Sequence, residues 1–291
     1  MHLPDFNYYQ PETLQEACEI LGRYGAKAKV LAGGTDLLPK MKQDVLAPEA
    51  LVSLKMVSGM SDIEKVPGRG VVIGAKTSPN DLVNSSVLHE NFMSVSEAAH
   101  SMANNQVRNM GTIAGNIVNA IPSADLPPIL IALSATVTLV GPVGSRTLVL
   151  EDFITGVSRT AIAPDEIMEE VVIPEQSTTG SAYFKFGLRH SGALAVVGVA
   201  AAVTMQGSLV RDVRIVLGAV APTPMRAKKA EEILRGKNVT DDLIAEAGKS
   251  AAVECKPISD IRASEEYRRD MVRVFTKRAL RKAIYLEQSE S

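Results

Sequence analysis

Two short runs of small and hydroxyl-bearing residues are the places in this chain where chemistry can be done. The first is Leu31-Ala32-Gly33-Gly34-Thr35-Asp36-Leu37, which closes an apolar run beginning at Ala28. Glycine admits positive φ and removes the Cβ that blocks close approach of a ligand. Successive backbone N–H groups in such a turn form a concavity for an anion, and Thr35 adds a hydroxyl donor. A diphosphate matches that inventory. A plain turn after a strand matches it too, and taken alone is the commoner reason for paired glycines. The second run, Gly111-Thr112-Ile113-Ala114-Gly115-Asn116, repeats the chemistry with a hydroxyl and an amide side chain. Asp125 lies ten residues past Gly115, between a turn and a helix start. By itself it reads more often as a helix cap than as a ligand contact. Two separate loops of this kind can grip opposite sides of one extended diphosphate ligand. No Gly-x-Gly-x-x-Gly follows a strand, so a Rossmann site is not indicated, and the P-loop pattern is absent.

The elements that must position these loops are short and mixed. Residues 12–24 form an amphipathic helix with Leu14, Ala17, Cys18 and Leu21 on one face. Residues 28–32, 50–54 and 70–75 read as buried strands, and 78–85 and 91–103 as helical. Residues 104–128 show no period, yet are too apolar and too long for a linker. Residues 129–150 end as a hairpin turning at Gly141-Pro142-Val143-Gly144. A strand followed by Pro174 and a polar link places a domain boundary near 176. Beyond it, three apolar runs predict a three-stranded antiparallel sheet with a turn at Gln206-Gly207-Ser208. Helices are expected over 225–235, 240–253 and 264–286, the last with its Arg and Lys residues on a solvated face or a subunit contact. Strands and helices do not alternate regularly, which argues for an α+β fold rather than a doubly wound parallel sheet.

Composition narrows the partners. With 291 residues and 46% hydrophobic content, the chain has enough material for two domains. A net charge of −2 and 4% aromatic residues disfavour a nucleic-acid platform. No window reaches the roughly 18 consecutive apolar residues of a membrane span, and the N-terminus lacks a secretory pattern, so a cytoplasmic location is expected. Cys18 and Cys255 are the only cysteines, too few for an iron–sulfur cluster with four thiolates. The four histidines are scattered, without metal-ligand spacing; His190 follows the Lys185 segment closely enough to approach a ligand there.

The pair "VLAGGTDLLPKMK" and "NMGTIAGNIVNAIPSADLPPILIALSATVTLV" closely resembles the FAD-binding medium subunit of molybdenum hydroxylases of the xanthine dehydrogenase and carbon monoxide dehydrogenase type. "FNYYQPETLQEA", "DEIMEEVVIP", "YFKFGLR", "GAVAPTPMRA" and "EYRRDMVRVFTKRAL" extend the resemblance over nearly the whole chain. It implies an oxidoreductase flavoprotein with a two-lobed FAD-binding domain of the vanillyl-alcohol-oxidase (PCMH) type over 1–176, its lobes meeting near 57, and a small C-terminal domain over 177–291. It implies FAD, bound non-covalently, with Leu31 to Leu37 as the diphosphate loop and Gly111 to Asn116 as the facing loop. Asp125 matches a polar FAD contact, Lys185 a lysine near the flavin, and Ile167 a residue lining the site. Relatives often carry Thr-Ile-Gly-Gly-Asn where this chain has Thr112-Ile113-Ala114-Gly115-Asn116. Alanine there is tolerated where φ is negative and costs on the order of 1 kcal/mol where it is positive.

The resemblance further implies a large subunit with the molybdenum cofactor and a small subunit with two [2Fe–2S] clusters, assembled as a dimer of heterotrimers. This chain then passes electrons from those clusters through FAD to an external acceptor, with no catalytic acid or base of its own. The alternative is a stand-alone flavin-dependent oxidase or reductase of related fold, which would need its own substrate pocket.

Overall fold

Parallel neighbours in a sheet need crossovers, and the first lobe supplies them with helices. In the computed structural model, which describes residues 3–189 and 191–285, the chain runs β1 (Asn7–Tyr9), α1 (Leu14–Tyr24), β2 (Ala28–Leu31), α2 (Leu37–Lys42) and β3 (Ala50–Ser53). β3 lies between β1 and β2 and is parallel to both. α1 starts where the Thr13 side chain accepts the Glu16 amide and stops at Gly25, with φ 54°. Its buried face is Ala17, Cys18, Ile20 and Leu21; the predicted stripe supplies three of these, its Leu14 is half-buried, and Ile20 is added.

The second lobe contains β4 (Ile63–Val66), β5 (Gly70–Gly74), α3 (Pro79–Asn84), α4 (Ser86–Asn91), α5 (Met93–His100), α6 (Asn105–Met110), α7 (Ile113–Val118), α8 (Leu126–Ala132), β6 (Thr136–Gly141), β7 (Gly144–Val149), α9 (Leu150–Phe153), β8 (Ile154–Gly156), β9 (Arg159–Thr160) and β10 (Ile167–Ile173). Five strands form an antiparallel sheet in the order β4-β5-β10-β6-β7. The stretch without a period, 104–128, resolves into α6, α7 and α8. Each is too short to display a repeat, and each starts from a local signal. Asn104 caps α6, Thr112 caps α7, and Pro127 sits in the first turn of α8. β1 and β4 lack an apolar run, which is why periodicity does not find them.

Residues 174–179 lead to β11 (Gly180–Phe186), β12 (Val197–Gln206), β13 (Leu209–Gly218), β14 (Met225–Arg226), α10 (Lys228–Leu234), α11 (Asp241–Glu254) and α12 (Glu265–Tyr285). The expected three-stranded antiparallel sheet is corrected to four strands, ordered β11-β12-β13-β14. The added strand is Met225–Arg226, pairing with Leu217 and Val216, so the helix expected from 225 begins at Lys228. The Arg226 guanidinium reaches the buried Glu231 carboxylate at 2.6 Å and ties this edge to α10. Two residues carry no alternation a reader of the sequence can detect.

This sheet is covered on both faces, and β12 shows it by alternation. Ala200 and Ala202 join the core of the second lobe, while Val197, Val199, Ala201 and Val203 join the core under α10, α11 and α12. α8, with every residue buried, is the element pressed on the first of those faces. Gly198 of β12 faces Gly218 of β13, and Pro128 of α8 fills the hollow that Gly218 leaves. Among the described residues no helix is long and apolar enough to cross a membrane.

A methyl group at Gly218 would lie 2.7 Å from Pro128 Cγ, and the ring cannot rotate away. Gly218→Ala is expected to cost about 1–3 kcal/mol as overpacking. The check is the urea midpoint at unchanged m-value; an unmoved midpoint would show that α8 does not press on the sheet.

Candidate functional site

The first loop leaves β2 and turns directly into α2. A Cβ on Gly33 would lie 1.8 Å from the Met110 carbonyl oxygen and 2.9 Å from Gly111 Cα, so only glycine lets the two loops meet there. Gly34 takes φ 70°, the left-handed region that favours glycine. Gly33 therefore serves loop-to-loop packing, a role distinct from the ligand approach that its residue type suggests. The consecutive backbone N–H groups of Gly33, Gly34, Thr35, Asp36 and Leu37 find no acceptor among the described residues, and neither does the Thr35 hydroxyl. Ala32 and Asp36 are exposed, and Leu31 and Leu37 are half-buried at the two ends of the loop.

The second loop has already used most of its amides. Ile113 N donates to Thr77 O at 2.9 Å, Ala114 N to Ala75 O at 3.2 Å, and Gly115 N to the Thr112 hydroxyl at 3.0 Å. Asn116 N donates to Thr112 O at 3.0 Å. Ala114 lies in the first turn of α7 and is not among the residues with positive φ, so its methyl group is unstrained. What this loop has left to offer is the Thr112 N–H and side-chain chemistry. Asn116 Oδ1 is buried without a partner, and Gly115 is exposed. The loops are thus unequal: one is a row of free donors, the other a wall.

Two lysines, Lys40 and Lys76, hold the lobes in register. Lys76 Nζ donates to Leu54 O at 2.9 Å and also to Val57 O, and burial lowers its pKa. Lys40 Nζ donates to Asn119 Oδ1 at 2.8 Å, linking α2 to the end of α7. The Ala75–Thr77 segment therefore grips the first lobe with a side chain and the second loop with its carbonyls.

Asp125 stands at the N-cap position of α8 but caps nothing. Its Oδ2 accepts from Lys185 Nζ at 2.8 Å and its Oδ1 from the Tyr183 hydroxyl at 2.8 Å. Burial raises the Asp125 pKa against the pull of Lys185 and Tyr183. Burial, with the neighbouring carboxylate, holds the Tyr183 phenol well above its ordinary range, so it remains a donor. β11 explains the grouping. Tyr183 and Lys185 point to one face, toward α8, while Phe184 and Phe186 point to the other and pack on Phe275. Lys185 pairs with Gly198, and Tyr183 Oη lies 2.9 Å from where a Gly198 Cβ would be. Lys185 also lines a cavity of about 420 Å³ with Ser101, Phe186, Leu188, Arg189 and Ala193.

The cavity and the paired loops are joined by α6. Its Arg108 donates to the Met102 carbonyl at 2.8 Å, and its far end carries Met110 and Gly111. Its six residues cover roughly 9 Å. Ile167 is different. It is buried at the start of β10 opposite Val140 and does not line the cavity. His190 lies outside the described residues, and His89 Nε2 donates to the Val83 carbonyl at 2.7 Å. Among the described residues no cluster of His, Cys, Asp or Glu could hold a metal ion. Sequence reading did not single out Tyr183, Ser101, Gly198 or Gly218. The alternation Tyr183-Phe184-Lys185-Phe186 was the available signal for the first of these.

Residues 4–176 match the FAD binding domain in molybdopterin dehydrogenase, and residues 182–283 match the CO dehydrogenase flavoprotein C-terminal domain. The chain belongs to the FAD-binding medium subunits of the molybdenum hydroxylases. It is 37% identical to the carbon monoxide dehydrogenase medium chain of Hydrogenophaga pseudoflava, over 96% of this chain and 97% of that one. It is 33% identical to the glyceraldehyde dehydrogenase medium chain of Sulfolobus acidocaldarius, over 97% and 99%. Among solved structures it is similar to carbon monoxide dehydrogenase from Hydrogenophaga pseudoflava lacking the Mo-pyranopterin moiety, with TM-score 0.93, 37% identity and coverage of 97% and 98%. This medium subunit is therefore an FAD-binding component of an oxidoreductase complex, and its site has to be tested against that cofactor.

The residues present fit FAD. A row of unpartnered N–H groups and a free hydroxyl suit a diphosphate, and the unpartnered Asn116 Oδ1 suits a hydroxyl donor beside it. Because Gly33 packs on backbone, Gly33→Ala is expected to destabilise the chain by at least about 1–3 kcal/mol whether or not FAD is added. Thermal melts of the flavin-free chain check this; a melt equal to wild type would show that the loops are not in contact.

Proposed function

We propose that this subunit binds FAD non-covalently across its two small-residue loops and relays electrons from [2Fe–2S] clusters of a partner subunit to an external acceptor. The single observation that carries the binding is the run of unpartnered N–H groups from Gly33 to Leu37 beside an unpartnered Thr35 hydroxyl. These donors take the diphosphate, and Gly111 to Asn116 form the opposite wall. The flavin end lies toward the Lys185 cavity. Bound FAD supplies the chemistry that exchanges electrons one or two at a time.

The chain's own residues support a relay. Cys18 and Cys255 sit in different cores and are both buried. Burial, with Asp165 adding, pushes the Cys18 thiol up to about 11. Burial likewise raises that of Cys255. Neither is a cluster ligand, so the electron donor belongs to another chain, and the molybdenum cofactor to a large subunit. A dimer of heterotrimers is the assembly this reading favours.

Thr35→Val keeps the side-chain shape and removes one donor. It is expected to weaken FAD binding by roughly ten- to a hundredfold, as for a hydrogen bond to a charged group, without changing the melt of the flavin-free chain. FAD titration followed by desalting and a visible spectrum checks this, and equal retention would remove Thr35 from the site. The relay is checked separately. In a complex assembled without the [2Fe–2S] subunit, substrate is expected to leave the flavin oxidised; rapid bleaching there would sink the relay.

A further inference from the structure

The Asp125 carboxylate is shut away from the cavity that Lys185 lines. The two side chains are 8% and 9% exposed, yet only Lys185 is part of the cavity wall. Each carboxylate oxygen already accepts one bond, Oδ1 from the Tyr183 hydroxyl and Oδ2 from Lys185 Nζ. The ammonium has three protons. One goes to Asp125 and one to the Ser101 carbonyl at 2.9 Å, which leaves one N–H for a ligand in the cavity.

We propose that Asp125 acts on the cofactor through Lys185 and not by touching it, and that Tyr183 is the positioning residue that fixes the pair. The proposal rests on the reading that the flavin end of FAD lies toward this cavity. Four features build the arrangement. Tyr183 and Lys185 are two residues apart on one face of β11, so both reach the start of α8. Gly198, opposite Lys185, leaves space for the Tyr183 ring. Gly218, opposite Gly198, lets Pro128 bring α8 down onto the sheet. The Ser101 carbonyl closes the far side of the ammonium. Tyr183 holds Oδ1, which stops the carboxylate from rotating and drawing the ammonium out of the cavity wall. Without Lys185 the buried carboxyl takes up a proton, because burial already favours its neutral form. Asparagine is then nearly equivalent to it.

A double-mutant cycle on the assembled, FAD-loaded complex tests this, read by the FAD dissociation constant and the midpoint potential of the bound flavin. Lys185→Gln is expected to lower the potential and to weaken FAD about tenfold, with Asp125→Asn and Tyr183→Phe each weakening FAD several-fold. In the Lys185→Gln background, the other two changes are expected to add less than about twofold. Lys185→Arg, which keeps a cation, is expected to restore most of the potential. Equal losses from Asp125→Asn in both backgrounds would mean that Asp125 touches the cofactor directly and would overturn the proposal. So would a Tyr183→Phe complex that melts earlier but keeps wild-type affinity and potential. Unchanged affinity and potential in Lys185→Gln would overturn it too, while leaving FAD binding at the loops intact. A wild-type complex that retains no flavin would instead remove both readings.

Discussion

The burial of α8 is the constraint on which the remaining structure depends. Every residue from Leu126 to Ala132 is buried, so the helix has no solvent face and must be enclosed on all sides. α5, α7 and α9 enclose it from within its own lobe, and β12 and β13 from the C-terminal sheet. A helix that is apolar all round behaves as core rather than as an amphipathic surface element. One consequence is that the last domain does not hang from a linker. Ala200, Ala202, Val216 and Tyr183 belong to the same core as the second lobe. The other consequence is chemical. Enclosing α8 also buries Asp125 at its start, and a buried carboxylate needs partners. β11 supplies them in Tyr183 and Lys185, so the packing of two domains and the charge beside the cavity are one event.

The two loops show a similar economy. Backbone approach between Gly33 and Met110 brings the lobes together, and the Ala75–Thr77 segment holds the second loop by its amides. Once those amides are used, the consecutive row of donors left for an anion lies on the first loop. The family motif, read as two matching cradles, is in space a cradle and a wall. An Ala in place of a family Gly at 114 is therefore harmless, since the position lies in a helix turn and donates to protein.

Local chemistry made much of this legible before any coordinates. α1, β2, β3, β5, the β6–β7 hairpin and the three long elements of the last sheet follow from periodicity and turn residues. Both loops and the Asp125 and Lys185 positions follow from residue type together with family resemblance. β1, β4 and β14 were not legible. All three are short, β4 is half charged, and β1 pairs with β3 some 43 positions away, so no local apolar pattern marks them. α6 and α7 were hidden for a different reason. Six residues are less than two turns, too few for an apolar stripe to repeat.

The amino-acid sequence by itself determined the α+β class, the small-residue loops, the absence of cluster cysteines and the alternation that puts Tyr183 beside Lys185. These depend on residue identity and on spacings of a few positions. Only the tertiary structure decided which loop keeps free donors, that Gly33 packs against backbone, and that Asp125 is a counter-ion within a buried trio. Those outcomes depend on which groups are satisfied by partners 30 to 85 positions away, as Ser101 and Lys185 are, or Thr77 and Ile113. A hydrogen-bond donor has the same chemistry whether free or used. Its partner is set by the fold, and that is why the site's division of labour appears only in three dimensions.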